Sequence, residues 1–170
     1  MTDLMIDIET LSTRGNAYIL SVGACPFDQH HSAEPYVWRI EWAEQPGAHI
    51  DPTTVRWWLE QWLEGIEVHR ADLVSLRDVL LELRRIITPE MRIWARSPAF
   101  DLAILGHAYE QADLPIPWSW WLQRDVRTLC DGEADLPDHG ALRLVKHDPV
   151  HDCLVQVAQV LEVRRRRGGG

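Results

Sequence analysis

Four acidic residues and a histidine are spaced so that together they could bind divalent cations and activate a water molecule. Asp7 and Glu9 are two residues apart, so on a β-strand both carboxylates would point to one face. Asp101 follows the segment WARSPAF, and Asp152 lies five residues after His147. Oxygen ligands suit Mg²⁺ or Mn²⁺, and a pair of such ions can stabilise the attacking and leaving oxygens of a phosphoryl displacement. A histidine with an ordinary pKa of about 6.5 can accept the proton of the attacking water.

Each of these pieces also has a structural interpretation when it is taken alone. The Asp-x-Glu pair could be the solvated end of a strand. Asp101 and Asp152 lie near predicted helix N-termini, where the helix dipole favours acidic residues. His151 could exchange roles with His147, although the spacing to Asp152 favours His147. The chemical interpretation therefore depends on the joint occurrence of the pieces.

The elements that must position these groups follow from the hydrophobic pattern. Residues 4–9 alternate, with Leu4, Ile6 and Ile8 opposite the acids, which predicts a strand with a buried aliphatic face. Strands are also predicted at residues 18–27, 36–42 and 91–95.

Predicted helices follow where a capping residue precedes an apolar stripe. Asp51-Pro52 and Asp148-Pro149 each place an N-cap residue before a proline at the first helical position. Strands followed by alternating helices and strands predict one mixed α/β sheet covered by helices. Three further helices are expected at residues 76–87, 99–112 and 125–130.

Composition limits the partners and the organisation of the chain. The 170 residues carry a formal charge of −9, and on charge alone nucleic acid is an unexpected partner. No apolar run is long enough to span a bilayer, and the N-terminus lacks the basic start of a signal peptide, so we expect no membrane partner and a cytoplasmic location in a bacterium or a phage-infected cell. We expect one domain over residues 1–163 and a disordered basic tail at 164–170.

In order and spacing, the acids and the histidine resemble the motifs of the DEDDh, or DnaQ-like, 3′→5′ exonucleases. Asp7-Ile-Glu9-Thr-Leu resembles the first motif, Phe100-Asp101 the second, and the segment HDPVHD that begins at His147 the third. The stretches IDPTTVRWWL and RDVRTL are similar to a narrower branch of short phage and bacterial enzymes that includes mycobacterial-type exoribonucleases. The third motif usually reads like HNALDD, so the proline and His151 are departures from the family pattern.

The resemblance implies an RNase H-like α/β fold with a mixed five-stranded sheet flanked by helices. It implies that Asp7, Glu9, Asp101 and Asp152 bind two divalent cations, Mg²⁺ or Mn²⁺, and that His147 is the general base. The implied reaction hydrolyses the terminal phosphodiester at a nucleic-acid 3′ end and releases a nucleoside 5′-monophosphate. DNA and RNA both remain open as substrates, with single strands or overhangs favoured.

Six further residues are candidate substrate contacts: Thr10, Leu11, Trp57, Phe100, Arg143 and Lys146. By resemblance, the Thr10 backbone would contact the terminal nucleotide near its 3′-hydroxyl and Leu11 would contact its base, although Leu11 could equally belong to the core. Trp57 could stack on a base, a contact worth about 1–3 kcal/mol, or pack against a helix or a second copy. Arg143 and Lys146 could contact phosphates or lie in a solvated loop.

Three alternative functions differ in class from a nuclease. A pseudo-nuclease would bind nucleic-acid ends without cleaving them. An HD-type phosphohydrolase is indicated by the pairs His147-Asp148 and His151-Asp152, but that class is all-helical. The nine tryptophans could serve an interaction protein, and they leave room for a homodimer.

Overall fold

A mixed sheet of six strands is the frame of the fold in the computed structural model, which describes residues 1–42, 45–63 and 72–168. The strands are β1 (Asp3–Thr10), β2 (Ile19–Phe27), β3 (Tyr36–Ile40), β4 (Leu73–Val74), β5 (Arg92–Ala95) and β6 (Gln123–Asp125). Their order across the sheet is β4-β3-β2-β1-β5-β6. β1 pairs antiparallel with β2 and parallel with β5, and β5 pairs parallel with β6. The carboxyl ends of β1, β5 and β6 therefore meet at one edge.

Helices cover both faces of this sheet. They are α1 (Pro52–Leu63), α2 (Leu76–Ile86), α3 (Asp101–Gln111), α4 (Val126–Cys130), α5 (His139–Leu142) and α6 (Pro149–Arg166), with a 3₁₀ turn at Trp120–Leu122. Both predicted cap-plus-proline starts are confirmed, since Asp51 accepts from the Thr53 N–H and Asp148 from the Val150 and His151 N–H groups. No helix among the described residues is long and apolar enough to cross a membrane.

The alternation of β1 separates two hydrophobic cores. Leu4, Ile6 and Ile8 pack with residues of α2 and α3, as the buried aliphatic face predicts. Met5, on the opposite face, packs in a second cluster with residues of α4 and α6. Asp7 and Glu9 follow Met5 on this second face, so the acids point toward α6.

The predicted α/β architecture is confirmed, but the sheet has six strands where five were expected. The hydrophobic pattern located four of the six and missed two: β4, a two-residue edge strand parallel to β3, and β6, a three-residue strand parallel to β5. Two or three residues are too few to produce an alternating pattern in the sequence. The strands also exclude the all-helical HD-type alternative.

Residues 164–170 were expected to form a disordered basic tail, but the first of them continue helix α6. Helix α6 continues through Arg166, and residues 164–168 are described as part of the folded chain. Arg165 and Arg166 pair with Glu162, and Arg167 pairs with Glu133. These ion pairs, together with the favourable interaction of cations with a helix C-terminus, account for the order. Residues 169 and 170 lie outside the described residues.

Asp3 anchors the C-terminal end of α6 to the sheet. Its buried carboxylate accepts from Trp94 Nε1 at 2.6 Å, from Arg92 Nη2 at 2.6 Å and from Arg164 Nη2 at 3.2 Å. The Arg164 guanidinium also lies over the rings of Phe27 and Trp94. Burial opposes ionisation, but the donors from Arg92 and Trp94 and the charge of Arg164 outweigh it and hold the pKa of Asp3 below its ordinary value.

The substitution Asp3→Asn is expected to lower the free energy of unfolding by about 1–3 kcal/mol at pH 7, because it removes the charge on which two arginines converge. A lowered pKa stabilises the fold above the unfolded value of about 3.9, and that stabilisation is lost as the pH falls through the folded value. Urea unfolding of both proteins at pH 7 and pH 2.5 measures this. The difference in free energy of unfolding between the wild type and the variant should be smaller at pH 2.5 than at pH 7. An equal difference at both pH values would contradict the role of the Asp3 charge.

Candidate active site

The five residues of the predicted catalytic set line one cleft of about 690 Å³. Asp7 and Glu9 enter it half-buried from β1, and Asp101 enters it from the first turn of α3 with only 4% of its surface exposed. Asp152 lies in the first turn of α6, and His147 lies just before that helix. Segments distant in the sequence thus converge at the carboxyl end of β1.

Hydrogen bonds hold these carboxylates in place. Asp7 Oδ1 accepts from Gln156 Nε2 at 2.8 Å, and Asp101 Oδ1 accepts from the Ile8 N–H at 3.3 Å. Asp152 accepts from the His147 N–H through Oδ2 at 3.0 Å and from His139 Nε2 through Oδ1 at 2.5 Å. The carboxylate orientations are therefore set by neighbouring groups of the chain.

The cleft concentrates negative charge that the fold only partly compensates. Burial, followed by the charges of Asp101, Glu9 and Asp152, raises the pKa of Asp7 well above its ordinary value. Burial and the charges of the neighbouring acids raise the pKa of Glu9 in the same way. Burial raises the pKa of Asp101 to about 7 although backbone N–H groups oppose the shift. A group of carboxylates with these properties is ionised most readily when a cation neutralises it.

The donor set fits a divalent metal ion of the hard type. Glu9, Asp152 and His147 each present one ligand atom, and these atoms lie within 4.8 Å of one another. Asp7 and Asp101 add two more carboxylates, which interact electrostatically with the other acids of the cleft. Oxygen-rich donors of this kind suit Mg²⁺ or Mn²⁺.

His147 is held at the rim of the cleft by backbone geometry and by aromatic side chains. Its φ of 61° lies in the left-handed region. The imidazole packs edge-on against Trp57, with ring centroids 4.7 Å apart, and against Trp58 at 6.2 Å. Burial lowers the pKa of His147, with the Asp152 charge opposing the shift, which favours the neutral imidazole at neutral pH.

The position of His151 supports His147 as the histidine of the site. His151 Nδ1 accepts from the Val145 N–H at 3.1 Å and lies 3.9 Å from Asp148 Oδ1. It is not among the residues that line the cleft, whereas His147 is. The exchange of roles left open by the sequence is therefore not favoured.

Gly23 allows α6 to approach the acidic strand. It pairs with Asp7 across β1 and β2, and a Cβ atom at this position would lie 2.3 Å from the Pro149 carbonyl oxygen. No side chain fits there without displacing the start of α6. The absence of a side chain at Gly23 thus sets how near Asp152 lies to Asp7 and Glu9.

The candidate substrate contacts divide into two groups. Phe100 and Lys146 line the cleft. Trp57 lies beside the cleft, where its ring packs against the ring of His147, and 36% of the Trp57 surface is exposed. Arg143 is exposed and does not line the cleft, so its predicted phosphate contact is not supported there.

The structure favours the core alternative for Leu11, and the backbone contact of Thr10 stays a prediction. Leu11 is only 2% exposed and packs with Tyr18 and Trp58, because a bulge between Glu9 and Thr10 ends the alternation of β1. The Thr10 side chain is also buried, and its hydroxyl donates to the Ser12 carbonyl oxygen. The core alternative is the correct one for Leu11.

Several residues that line the cleft were missed by the sequence analysis. Gln156 follows Asp152 by four residues, so helical spacing could have placed both on one face. His139 gave no such signal, because it lies on a four-residue helix. Arg96 and Arg127 also line the cleft.

Fold and site together define the class of DEDDh, or DnaQ-like, 3′→5′ exonucleases. The chain belongs to the family described as the 3′-5′ exoribonuclease Rv2179c-like domain, whose profile matches residues 2–164. No curated protein matches the chain.

Solved structures of nucleases share the fold at low sequence identity. A zinc-bound complex of E. coli exonuclease I with single-stranded DNA is 17% identical, with a TM-score of 0.72 over 98% of this chain and 41% of that chain. Exonuclease X in complex with 5′-overhanging duplex DNA is 14% identical, with a TM-score of 0.56 over 98% and 93%. Cell-death related nuclease 4 is also 14% identical, with a TM-score of 0.62 over 98% and 64%. The chain spans about two fifths of the exonuclease I chains that it matches.

The substitution Gly23→Ala is expected to destabilise the protein by about 1–3 kcal/mol and to weaken Mn²⁺ binding, because the new methyl group displaces the start of α6. Gly15→Ala is the matched control, since its Cβ would meet no atom within 4 Å. Urea unfolding measures the first effect and calorimetric Mn²⁺ titration the second. Unchanged Mn²⁺ affinity in Gly23→Ala would contradict the role assigned to this close approach.

The substitution Asp7→Asn is expected to raise the Tm of the metal-free protein at pH 8, because it relieves repulsion in the cleft while the Gln156 hydrogen bond can persist. Each kcal/mol of relief corresponds to about 2–4 °C for a chain of this size. The same variant should lose the Tm increase that Mn²⁺ gives the wild type. Glu90→Gln removes an exposed acid outside the cleft and should change neither quantity. A lower metal-free Tm together with full Mn²⁺ stabilisation would show that Asp7 has only a structural role.

Proposed function

We propose that this protein is a metal-dependent 3′→5′ exonuclease that hydrolyses the terminal phosphodiester of DNA or RNA and releases a nucleoside 5′-monophosphate. The observation that carries the proposal is the carboxylate cluster at the end of β1 with His147 at its rim. Membership of an exoribonuclease-like family supports RNA as a substrate, and the DNA-bound nucleases of the same fold support DNA.

Asp7, Glu9, Asp101 and Asp152 are the residues that would hold two divalent ions, Mg²⁺ or Mn²⁺. When bound, such ions supply Lewis-acid stabilisation of the charge on the attacking and departing oxygens. The raised pKa values support this assignment, because they follow from burial at all three acids and from the charges of neighbouring acids at Asp7 and Glu9, and a bound cation would offset both effects. His139 and the His147 N–H each hold one oxygen of Asp152 and so orient that ligand.

His147 is the proposed general base. A neutral imidazole nitrogen can accept the proton of the attacking water, and burial favours that neutral form. Contacts with Trp57 and Trp58 restrict the ring, so the acceptor is positioned before the substrate binds.

The terminal nucleotide would lie beside His147. The exposed part of Trp57 offers a face for the base, and Phe100 and Lys146 line the same cleft. Such a contact area suits a single-stranded end or an overhang better than a long duplex. The homodimer and the cytoplasmic location stay predictions.

The experiment uses 5′-labelled single-stranded and overhanging DNA and RNA with Mg²⁺ or Mn²⁺. The wild type should shorten the labelled strand one nucleotide at a time and release nucleoside 5′-monophosphates, and EDTA should abolish the reaction. Asp7→Ala should lose more than tenfold in rate, and His147→Ala about 10²–10⁴-fold, the usual contribution of a general base.

Two controls make the assay decisive. Glu90→Gln should retain wild-type activity, which excludes a general effect of removing an acid. Circular dichroism checks that each variant is folded. A tenfold or smaller loss in Asp7→Ala, or cleavage that persists in EDTA, would overturn the proposal. Metal-dependent binding of ends without any cleavage would favour the pseudo-nuclease alternative.

A further inference from the structure

Most arginines of the chain are already engaged within the fold. Ten arginines among the described residues form a hydrogen bond or an ion pair with a backbone carbonyl oxygen or a carboxylate. They are Arg56, Arg77, Arg84, Arg85, Arg92, Arg124, Arg164, Arg165, Arg166 and Arg167. The basic C-terminal run is part of this set, because Arg164 pairs with Asp3 and the next three arginines pair with Glu162 or Glu133. It is therefore a poor candidate for a phosphate clamp.

Arg96 and Arg127 differ from that set because both line the acidic cleft, where both are exposed. The Arg127 side chain makes no hydrogen bond or ion pair with any described residue, and its charge acts on Asp101. Arg96 Nη1 donates to Gln159 Oε1 at 3.1 Å, and Gln159 in turn donates to the Pro137 carbonyl oxygen. Arg96 is thus oriented by a neutral partner that leaves its charge uncompensated.

Arg96 and Arg127 follow successive strands of the sheet, so they lie at increasing distance from the acids of β1. Arg96 directly follows β5, and Arg127 lies two residues after β6. Because β1, β5 and β6 are parallel neighbours, the two positions are offset from the acidic strand by about one and two strand spacings, roughly 5 and 10 Å. Trp57 and His147 lie together elsewhere on the rim, packed ring against ring. The cleft therefore has aromatic rings at one part of its rim and two arginines at another.

A guanidinium beside a cluster of carboxylates would ordinarily pair with one of them. Arg127 is instead exposed, and a guanidinium group can donate two parallel hydrogen bonds to a phosphate. Divalent ions held by the carboxylates would bind the scissile phosphate. The two arginines would then be available to bind another anion. The next phosphate along the strand is the anion that the substrate of the proposed function itself brings.

We propose that Arg96 and Arg127 bind the phosphate on the 5′ side of the scissile one, so that the strand runs from His147 and Trp57 across the ends of β5 and β6. This inference rests on the proposed exonuclease function. It assigns to these residues a role in substrate binding, with no part in the chemical step. Recognition would cover at least two consecutive phosphates and would not depend on the bases.

The test compares two substrates that differ by a single phosphate: a dinucleoside monophosphate and the same dinucleotide with a 5′-phosphate. The wild type should have at least about a tenfold higher kcat/KM for the 5′-phosphorylated substrate, mainly through KM. Arg127→Gln and Arg96→Gln should each lower the ratio of the two kcat/KM values by at least about threefold, because the ratio cancels any effect of the lost charge that both substrates share. Arg127→Lys keeps the charge but loses the paired donors, so it should retain part of the preference.

Arg85→Gln is the matched control, because it removes the same charge from an exposed position on α2 away from the cleft. It should keep the full preference. Equal kcat/KM of the wild type for both substrates, or an unchanged preference in both glutamine variants, would overturn the inference. A wild type that cleaves neither substrate with Mg²⁺ or Mn²⁺ would instead count against the proposed function.

Discussion

Repulsion among carboxylates in a half-buried cleft is the constraint on which the rest of this structure depends. Asp7 and Glu9 cannot move apart, because β1 fixes them two residues apart on one face, and Asp101 and Asp152 enter the same space from two helices. Burial raises the pKa of Asp7, Glu9 and Asp101, and the charges of neighbouring acids raise it further at Asp7 and Glu9. Such an arrangement costs stability in the metal-free protein, which is typical of a site selected for binding cations rather than for the fold.

Helix α6 maintains this arrangement because it is fixed at both ends. At its start, Gly23 admits the backbone of Pro149, and Asp148 caps the first turn. Near its C-terminal end, Arg164 is bound to the buried carboxylate of Asp3 and packed over aromatic rings. With both ends held, Asp152 and Gln156 face Asp7 from a defined position. The contact that secures the end of the helix far from the cleft therefore also contributes to the geometry of the site.

Sequence patterns predicted the parts of the site that depend on local periodicity. The alternation of β1 placed the aliphatic residues opposite the acids, and the cap-plus-proline signal located the helix that carries Asp152. The sequence left Leu11 open between the core and a substrate contact, because the bulge after Glu9 that turns its side chain into the core has no sequence signature here. His139 and Arg127 reach the cleft from short helices whose positions depend on tertiary packing. The acidic net charge gave no indication of the proposed nucleic-acid partner, since four of the acids converge where divalent ions are proposed to bind.

The acidic cluster is expected to bind divalent ions that engage the phosphate of a nucleotide. A crystal soaked with Mn²⁺ and a nucleoside 5′-monophosphate tests this binding through the anomalous signal of manganese. Two manganese peaks are expected among Asp7, Glu9, Asp101 and Asp152, with the phosphate of the nucleotide bound to them. A cluster without manganese, or a nucleotide bound with its phosphate away from these carboxylates, would contradict this expectation.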